Sequence, residues 1–262
     1  MAYKKLTDKN LVEQNVDLWN KIDVLENVKM IKMRSIVPIF LKYIKKQDKI
    51  IEAGCGPGGW VYFMQELGYK NIIGVDNNPA ILDRGKELKV QLENDDILNS
   101  KFTDNSFDIY ISLGVIEHSE IGPGAALLEA KRIVKKNGIV FISTPLNNPL
   151  RLLVNHPIRD LINIFKKIKG KKLYFSEYRF WKRELINHIQ NAGFEVLEVV
   201  PNDYSLTQSD YSLGFYTDWP IFRHSKEKYR LNKVGSMVHA LLKRLSVDLV
   251  VSGYLVVGRN KK

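Results

Sequence analysis

Apolar residues along this chain follow two alternating rhythms. Short apolar runs bounded by glycine, asparagine or aspartate read as strands at Lys49–Ala53, Asn71–Asp76, Lys89–Leu92, Phe107–Leu113 and Ile139–Ser143. Between them stand segments with helical spacing: Trp60–Leu67 closed by Gly68, Pro79–Glu87 behind the capping-type pair Asn77-Asn78, and Gly124–Lys135. Strands alternating with helices predict a parallel sheet covered on both faces. Ahead of them Leu11–Lys46 reads as helix, with Ile36, Val37, Phe40, Leu41 and Ile44 at helical spacing and Pro38 kinking or dividing it.

The rhythm breaks after Pro145. It returns with a helix at Lys182–Ala192, a strand at Phe194–Val200 and, after a second irregular stretch, a last strand at Leu249–Val257. The expectation is an α/β fold: a Rossmann-like seven-stranded, mostly parallel sheet with helices on both faces, the last strand antiparallel, and two insertions. One domain over residues 1–262 then consists of an N-terminal helical segment (1–47), a core (48–145) and insertions at 146–181 and 201–248. Both insertions are followed by segments that complete the sheet.

Composition narrows this little. The apolar content of 45% suits a globular chain and is too high for a disordered one. The single cysteine, Cys55, rules out an intrachain disulfide framework and points to a reducing compartment. The N-terminal Met1-Ala2-Tyr3-Lys4-Lys5 leads into a polar stretch, and no apolar run reaches the roughly 18 residues a spanning helix needs. A cytoplasmic location is therefore expected, with peripheral membrane contact as the variant. Charge is more telling, because the +11 of the chain is unevenly placed. Residues 149–262 hold 20 Lys/Arg against 10 Asp/Glu, and 151–183 alone hold ten against two. The basic character belongs to the insertions.

The candidate chemistry lies in the core. Gly54-Cys55-Gly56-Pro57-Gly58-Gly59 between a strand and a helix fits a glycine turn that lets backbone approach a nucleotide-type ligand. A dinucleotide brings a pyrophosphate, which Glu52, two residues ahead of Gly54, would repel. S-adenosylmethionine carries an ammonium and a sulfonium instead, which an acidic residue favours. Asp76, ending its strand, can accept from both ribose hydroxyls of either ligand. In Asp95-Asp96-Ile97 a carboxylate can accept the adenine amino group while Ile97 covers the ring; Asp96 suits this, with Asp95 as its competitor.

Taken in order, Ile51–Gly58, Gly74-Val75-Asp76, Asp96-Ile97, Asp104–Asp108, Ser112–His118 and Leu127–Thr144 make the chain resemble the class I S-adenosylmethionine-dependent methyltransferases. It is most similar to the subgroup that includes ubiquinone- and menaquinone-pathway enzymes. The resemblance spans about residues 49–145, with a weaker match at Phe180–Phe194, and does not cover 146–178 or 201–248. It implies that Glu52 holds the methionine ammonium through water. Ala53, Gly54, Gly56 and Gly58 would admit the methionine portion, Asp76 and Asn77 the ribose, Asp96 and Ile97 the adenine, and Ser112 with Leu113 would line the pocket beside the sulfonium. Lys101 departs from the subgroup, which usually has proline in that loop.

His118 follows the fourth strand, on the side where parallel sheets bind ligands. It suits a general base for a hydroxyl acceptor, or it only hydrogen-bonds the following turn. Glu117 beside it has no second histidine or cysteine at ligand spacing, so no metal is expected.

The insertions are expected to stand over the acceptor site. Leu150–Ile168 carries Leu152, Leu153, Ile158, Leu161, Ile162, Phe165 and Ile168 near helical spacing among basic residues, divided by Pro157. Its apolar side is expected to pack on the body of the protein. A basic amphipathic lid would also suit an anionic or apolar acceptor, or an anionic membrane. The aromatic residues Tyr204, Tyr211, Phe215, Tyr216, Trp219 and Phe222 are expected to wall the same cavity. The resulting expectation is methyl transfer to a small-molecule or lipid-like acceptor. Its alternatives are an RNA methyltransferase using the basic face, with nucleic acid the less favoured partner, and a non-catalytic binding protein that keeps the fold. The oligomeric state is not set by these residues.

Overall fold

The computed structural model describes residues 1–21 and 23–261. The chain opens with a short strand, β1 (Tyr3–Thr7), and three helices, α1 (Leu11–Asn20), α2 (Val24–Lys32) and α3 (Val37–Tyr43). Asn10 and Asp23 cap the first two, their side chains accepting the N–H of Glu13 and Glu26. Pro38 falls in the first turn of α3, where a missing N–H is harmless, so the long predicted helix is three helices.

The alternating core follows: β2 (Ile50–Ala53), α4 (Gly59–Glu66), β3 (Ile72–Asp76), α5 (Pro79–Arg84), β4 (Leu92–Asn94), β5 (Phe107–Leu113), α6 (Gly124–Ile133) and β6 (Val134–Pro145). The first insertion holds a π-helical turn at Arg151–Asn155, α7 (His156–Ile168) and β7 (Tyr174–Arg179). Then come α8 (Lys182–Asn191), β8 (Phe194–Pro201), α9 (Leu213–Asp218), α10 (Lys233–Leu245) and β9 (Gly253–Asn260).

Seven strands form one sheet in the order β4-β3-β2-β5-β6-β9-β8. The first five are mutually parallel, and β9 runs antiparallel to both β6 and β8, the predicted arrangement. Side chains divide by the two-residue period of a strand. Ile51, Ile73, Tyr110, Val140, Ile142 and Val256 join α6 and α8 on one face. Ile50, Ile72, Ile109, Ile111, Phe141 and Leu255 join α3 and α4 on the other. Burial on both faces is why the central strands read as continuous apolar runs.

Two strands lie further along the chain than expected. Lys89, predicted to start a strand, takes a left-handed φ of +53° that closes the turn Lys86–Leu88, and pairing begins at Leu92. Leu249 ends a short turn capped by Ser246, and β9 runs on from Gly253 to Asn260. A second sheet was not foreseen: β1 pairs antiparallel with β7, across some 170 residues of sequence, from Tyr3 opposite Arg179 to Thr7 opposite Tyr174. Their charged, half-buried residues give little apolar alternation.

Candidate active site

The carboxyl ends of β2, β3, β4 and β5 converge on one cavity of about 290 Å³. The turn after β2 is held by the Val75 carbonyl, which accepts the N–H of both Gly54 and Cys55. Gly54 (φ +77°) and Gly56 (φ +55°) both line the cavity in left-handed conformations that favour glycine. A Cβ at Gly54 would stand 2.4 Å from a Val115 methyl, and one at Gly56 would stand 2.8 Å from the Trp19 indole.

Asp76 lies across the turn. Its Oδ2 accepts the Gly56 N–H and its Oδ1 the Asn78 N–H, both at 3.0 Å. Burial raises its pKa, and those N–H groups pull against the rise. Asn77 joins it on the wall, while Asn78 caps α5. After β4 the two aspartates part company. Asp95 turns inward, accepting the Ser100 hydroxyl (2.6 Å) and the Lys101 N–H (3.1 Å), whereas Asp96 and Ile97 line the cavity.

Other predicted residues stand behind the wall. Glu52 is 3% exposed, its Oε2 has no hydrogen-bond partner, and burial holds its carboxyl well above the usual range despite the nearby Val61 N–H. Ala53 and Ser112 are fully buried, and Gly58 packs on Leu92. Leu113 reaches the cavity, together with Gly114 and Val115. Cys55 packs on Gly74 with its thiol pKa raised, chiefly by burial, which makes it a packing group.

His118 lines the same cavity. Its Nδ1 lies 2.6 Å from the Ser176 carbonyl of β7, a contact that requires the proton on Nδ1, and its Nε2 lies 4.0 Å from the Glu117 carboxyl. The ribbon that the sequence did not announce therefore orients this histidine. Glu117 is buried beneath it, its carboxyl raised well above the usual range, first by burial.

The cover also differs from expectation. Leu11, Asn15, Leu18 and Trp19 of α1 close the cavity, and no residue of 146–181 lines it. Tyr216, Trp219 and Phe222 pack with Phe215, Leu231 and Val250 in a cluster of their own, because the second insertion must build a core to fold. Its residues Asn202 and Leu213 instead line a second cavity of about 230 Å³, which shares Leu113 and Gly114 with the first. The helical spacing of α1 was legible; its position over a turn some forty residues away was not.

Two acidic side chains and no lysine or arginine line the first cavity, which suits a cationic ligand carrying hydroxyls and not a pyrophosphate. Residues 51–142 match the methyltransferase domain family. The match covers about a third of the chain and makes this stretch similar to that family. An uncharacterized methyltransferase of Schizosaccharomyces pombe is 37% identical over 114 residues, 38% of this chain and 41% of that protein. A sterol 24-C-methyltransferase of Aspergillus fumigatus is 28% identical over 211 residues, 74% of this chain and 51% of that protein. The chain thus spans about half or less of the length of these curated relatives. In fold, a putative sarcosine dimethylglycine methyltransferase from Galdieria sulphuraria superposes with a TM-score of 0.61 at 14% identity, covering 96% of this chain and 98% of that one.

S-adenosylmethionine is the cofactor that the likeness to methyltransferase domains implies, and the residues present fit it. Asp76 and Asp96 offer acceptors for hydroxyl and amino groups, Ile97 an apolar surface, and Gly54 and Gly56 a backbone free of Cβ atoms. The orphaned carboxylate oxygen of Glu52 beneath the turn is what an ammonium, or a water between the two, would satisfy.

Proposed function

We propose that the chain is a methyltransferase acting on a small or lipid-like acceptor that carries an anionic group and is seated in the second cavity. The observation that carries this is the placement of Arg34. It lines the second cavity with Ser143, Asn202 and Ser252, next to the donor cavity across Leu113 and Gly114. Its guanidinium donates to the Asn202 side-chain carbonyl and lies 5.8 Å from the Trp60 ring centroid. It makes no ion pair with a carboxylate among the described residues, and Asp203 nearby is committed to Ser212, Gly214 and Ser252. An arginine in that position suits a carboxylate or phosphate of the acceptor. The resemblance to quinone-pathway enzymes and the sterol-modifying relative both favour an apolar body for that molecule.

S-adenosylmethionine supplies an electrophilic methyl group when bound. The protein's part is alignment and exclusion of water: α1 covers the donor cavity, the acceptor's reactive end would reach it past Leu113 and Gly114, which border both cavities, and Arg34 fixes the acceptor's far end. Where the accepting atom is a hydroxyl, His118 receives its proton at Nε2 while the Ser176 carbonyl holds Nδ1–H. Labelled methyl transfer to an extract of lipids and small metabolites, followed by identification of the product, tests this reading. The product should carry a carboxylate or phosphate, and Arg34→Gln should raise KM for it about 10-fold or more with cofactor affinity unchanged. A neutral product, or one whose KM ignores Arg34, refutes the acceptor assignment.

A further inference from the structure

α7 points its apolar side away from the protein. At about 100° per residue, Ile158, Leu161, Ile162, Ile164, Phe165 and Ile168 share one side of the helix and are 48–74% exposed. The opposite side holds the polar residues and is tied inward. His156 is buried, stacked on Tyr3 with ring centroids 3.5 Å apart and bonded to Asn147 at 2.9 Å. Asp160 accepts the Tyr3 hydroxyl at 2.7 Å, and Lys166 pairs with Asp8 at 3.3 Å. Just ahead of the helix, buried Arg151 pairs with Asp218 at 2.6 Å. These bonds fix the rotation of the helix, so the outward apolar side is built and not a loose end.

A second outward stripe lies on α10, where Val234, Met237, Leu241 and Leu245 are 60–73% exposed. The segment Asp218–Phe222 joins the two. Asp218 holds Arg151 at the foot of α7, Phe222 packs on Gly235 of α10, and Ile221 between them is 78% exposed. Basic residues border the surface: residues 151–172 hold seven Lys/Arg and one carboxylate, Asp160, which Tyr3 already occupies. Exposed Lys167, Lys169 and Lys172 have no carboxylate partner among the described residues.

We propose that this face docks on an anionic lipid bilayer, with α7 lying in the plane of the interface. The aliphatic side chains would enter the boundary between headgroups and acyl chains, and the lysines would meet the anionic headgroups. The 13 residues of α7 span about 20 Å, short of the roughly 30 Å hydrocarbon layer, and no helix among the described residues is long and apolar enough to cross it. A second copy of the chain fits the surface poorly, because a symmetric contact would set its basic border against another with no free acid. Single-stranded RNA fits poorly too, since Phe165 alone offers a stacking face on α7.

Flotation of the full chain with phosphatidylcholine vesicles, with and without phosphatidylserine, tests the proposal. The chain should float with the anionic vesicles. Leu161→Asp/Phe165→Asp/Ile168→Asp should reduce binding about 10-fold or more, and Lys167→Glu/Lys169→Glu/Lys172→Glu should remove the preference for phosphatidylserine. Calorimetric affinity for S-adenosylhomocysteine should be the same in both variants, so failure of docking and failure of the methyl-transfer reading appear in separate measurements. Three results would overturn the proposal: no flotation at low ionic strength, flotation that neither variant alters, or a dimer or nuclease-sensitive RNA complex that the aspartate variant disperses without any flotation.

Discussion

Gly54→Ala is the sharpest probe of the turn that shapes the donor cavity. The substitution acts twice. First, an alanine at φ +77° is held in the left-handed region, at about 1–2 kcal/mol. Second, the new Cβ would lie 2.4 and 2.6 Å from the two Val115 methyls, an overpacking on the order of 1–3 kcal/mol. Together they predict a loss of roughly 2–5 kcal/mol, or about 4–20 °C in Tm for a chain of this size. Val115→Ala removes both methyls and leaves the backbone cost and a 3.0 Å contact with the Val115 Cβ, so the rescue is partial. Urea denaturation of the parent, both single variants and the double variant should therefore give a coupling of about 1–3 kcal/mol in the rescuing direction. Cofactor affinity should follow the same pattern, because both residues line the cavity. If the two losses simply add, Gly54 does not meet Val115 as described, and the account of the turn is wrong.

Asp76→Ala should weaken S-adenosylhomocysteine binding about 100-fold, the cost of two hydrogen bonds to a charged acceptor, with the far-ultraviolet circular dichroism unchanged. Because burial raises the Asp76 pKa and the ionised form is the better acceptor, affinity should be full above that pKa and fall on acidification, sooner than for an ordinary aspartate; a flat calorimetric profile would argue against the role. His118→Ala should lower kcat for a hydroxyl acceptor about 100-fold and leave cofactor affinity intact, which single-turnover kinetics can check. Burial, with Arg179, Arg159 and Arg151 around it, lowers the His156 pKa to about 4. The folded state therefore binds fewer protons than the unfolded one: stability is full above the unfolded value near 6.5 and is lost as the pH falls toward about 4. That loss is at most about 3 kcal/mol, and His156→Gln should flatten this acid limb in denaturation curves at pH 7 and pH 4.5.

The core could be read from the sequence because its signals are local. Ile50-Ile51, the glycine turn and Asp76 are set by neighbours a few positions away, and each stands where its spacing placed it. The exceptions show what spacing leaves out. Lys89 and Leu249 fit strands by composition, but turn geometry took them first. β1 offers Tyr-Lys-Lys-Leu-Thr, and only its pairing with β7 makes it a strand. Trp19 is apolar and helical by pattern, yet its place against Gly56 depends on how three helices fold back over the sheet.

α7 carries the same limit further. A period of 3.6 residues separates an apolar side from a polar side, but it does not say which one faces the protein. The usual presumption, apolar inward, rests on the protein offering an apolar seat. Here the seat is polar: residues of the insertion bond to Asp8, Asn147, Glu177 and Asp218. Arg179 joins two of them, through Glu177 at 3.1 Å and Asp218 at 3.7 Å. Glu177 is held ionised there, its pKa drawn down to about 2 by Lys5 and Arg179 against the rise that burial alone would cause. A buried carboxylate of that kind requires cations around it, and Lys5 and Arg179 supply them, while Arg151 and Lys166 pair with Asp218 and Asp8. Turning α7 the other way would bury five aliphatic side chains and Phe165 but break the His156–Asn147 and Asp160–Tyr3 hydrogen bonds and the Lys166–Asp8 pair, and would carry the buried polar His156 and Asn163 out of their seat. Those polar contacts hold the rotation, and the apolar side is left for whatever lies outside.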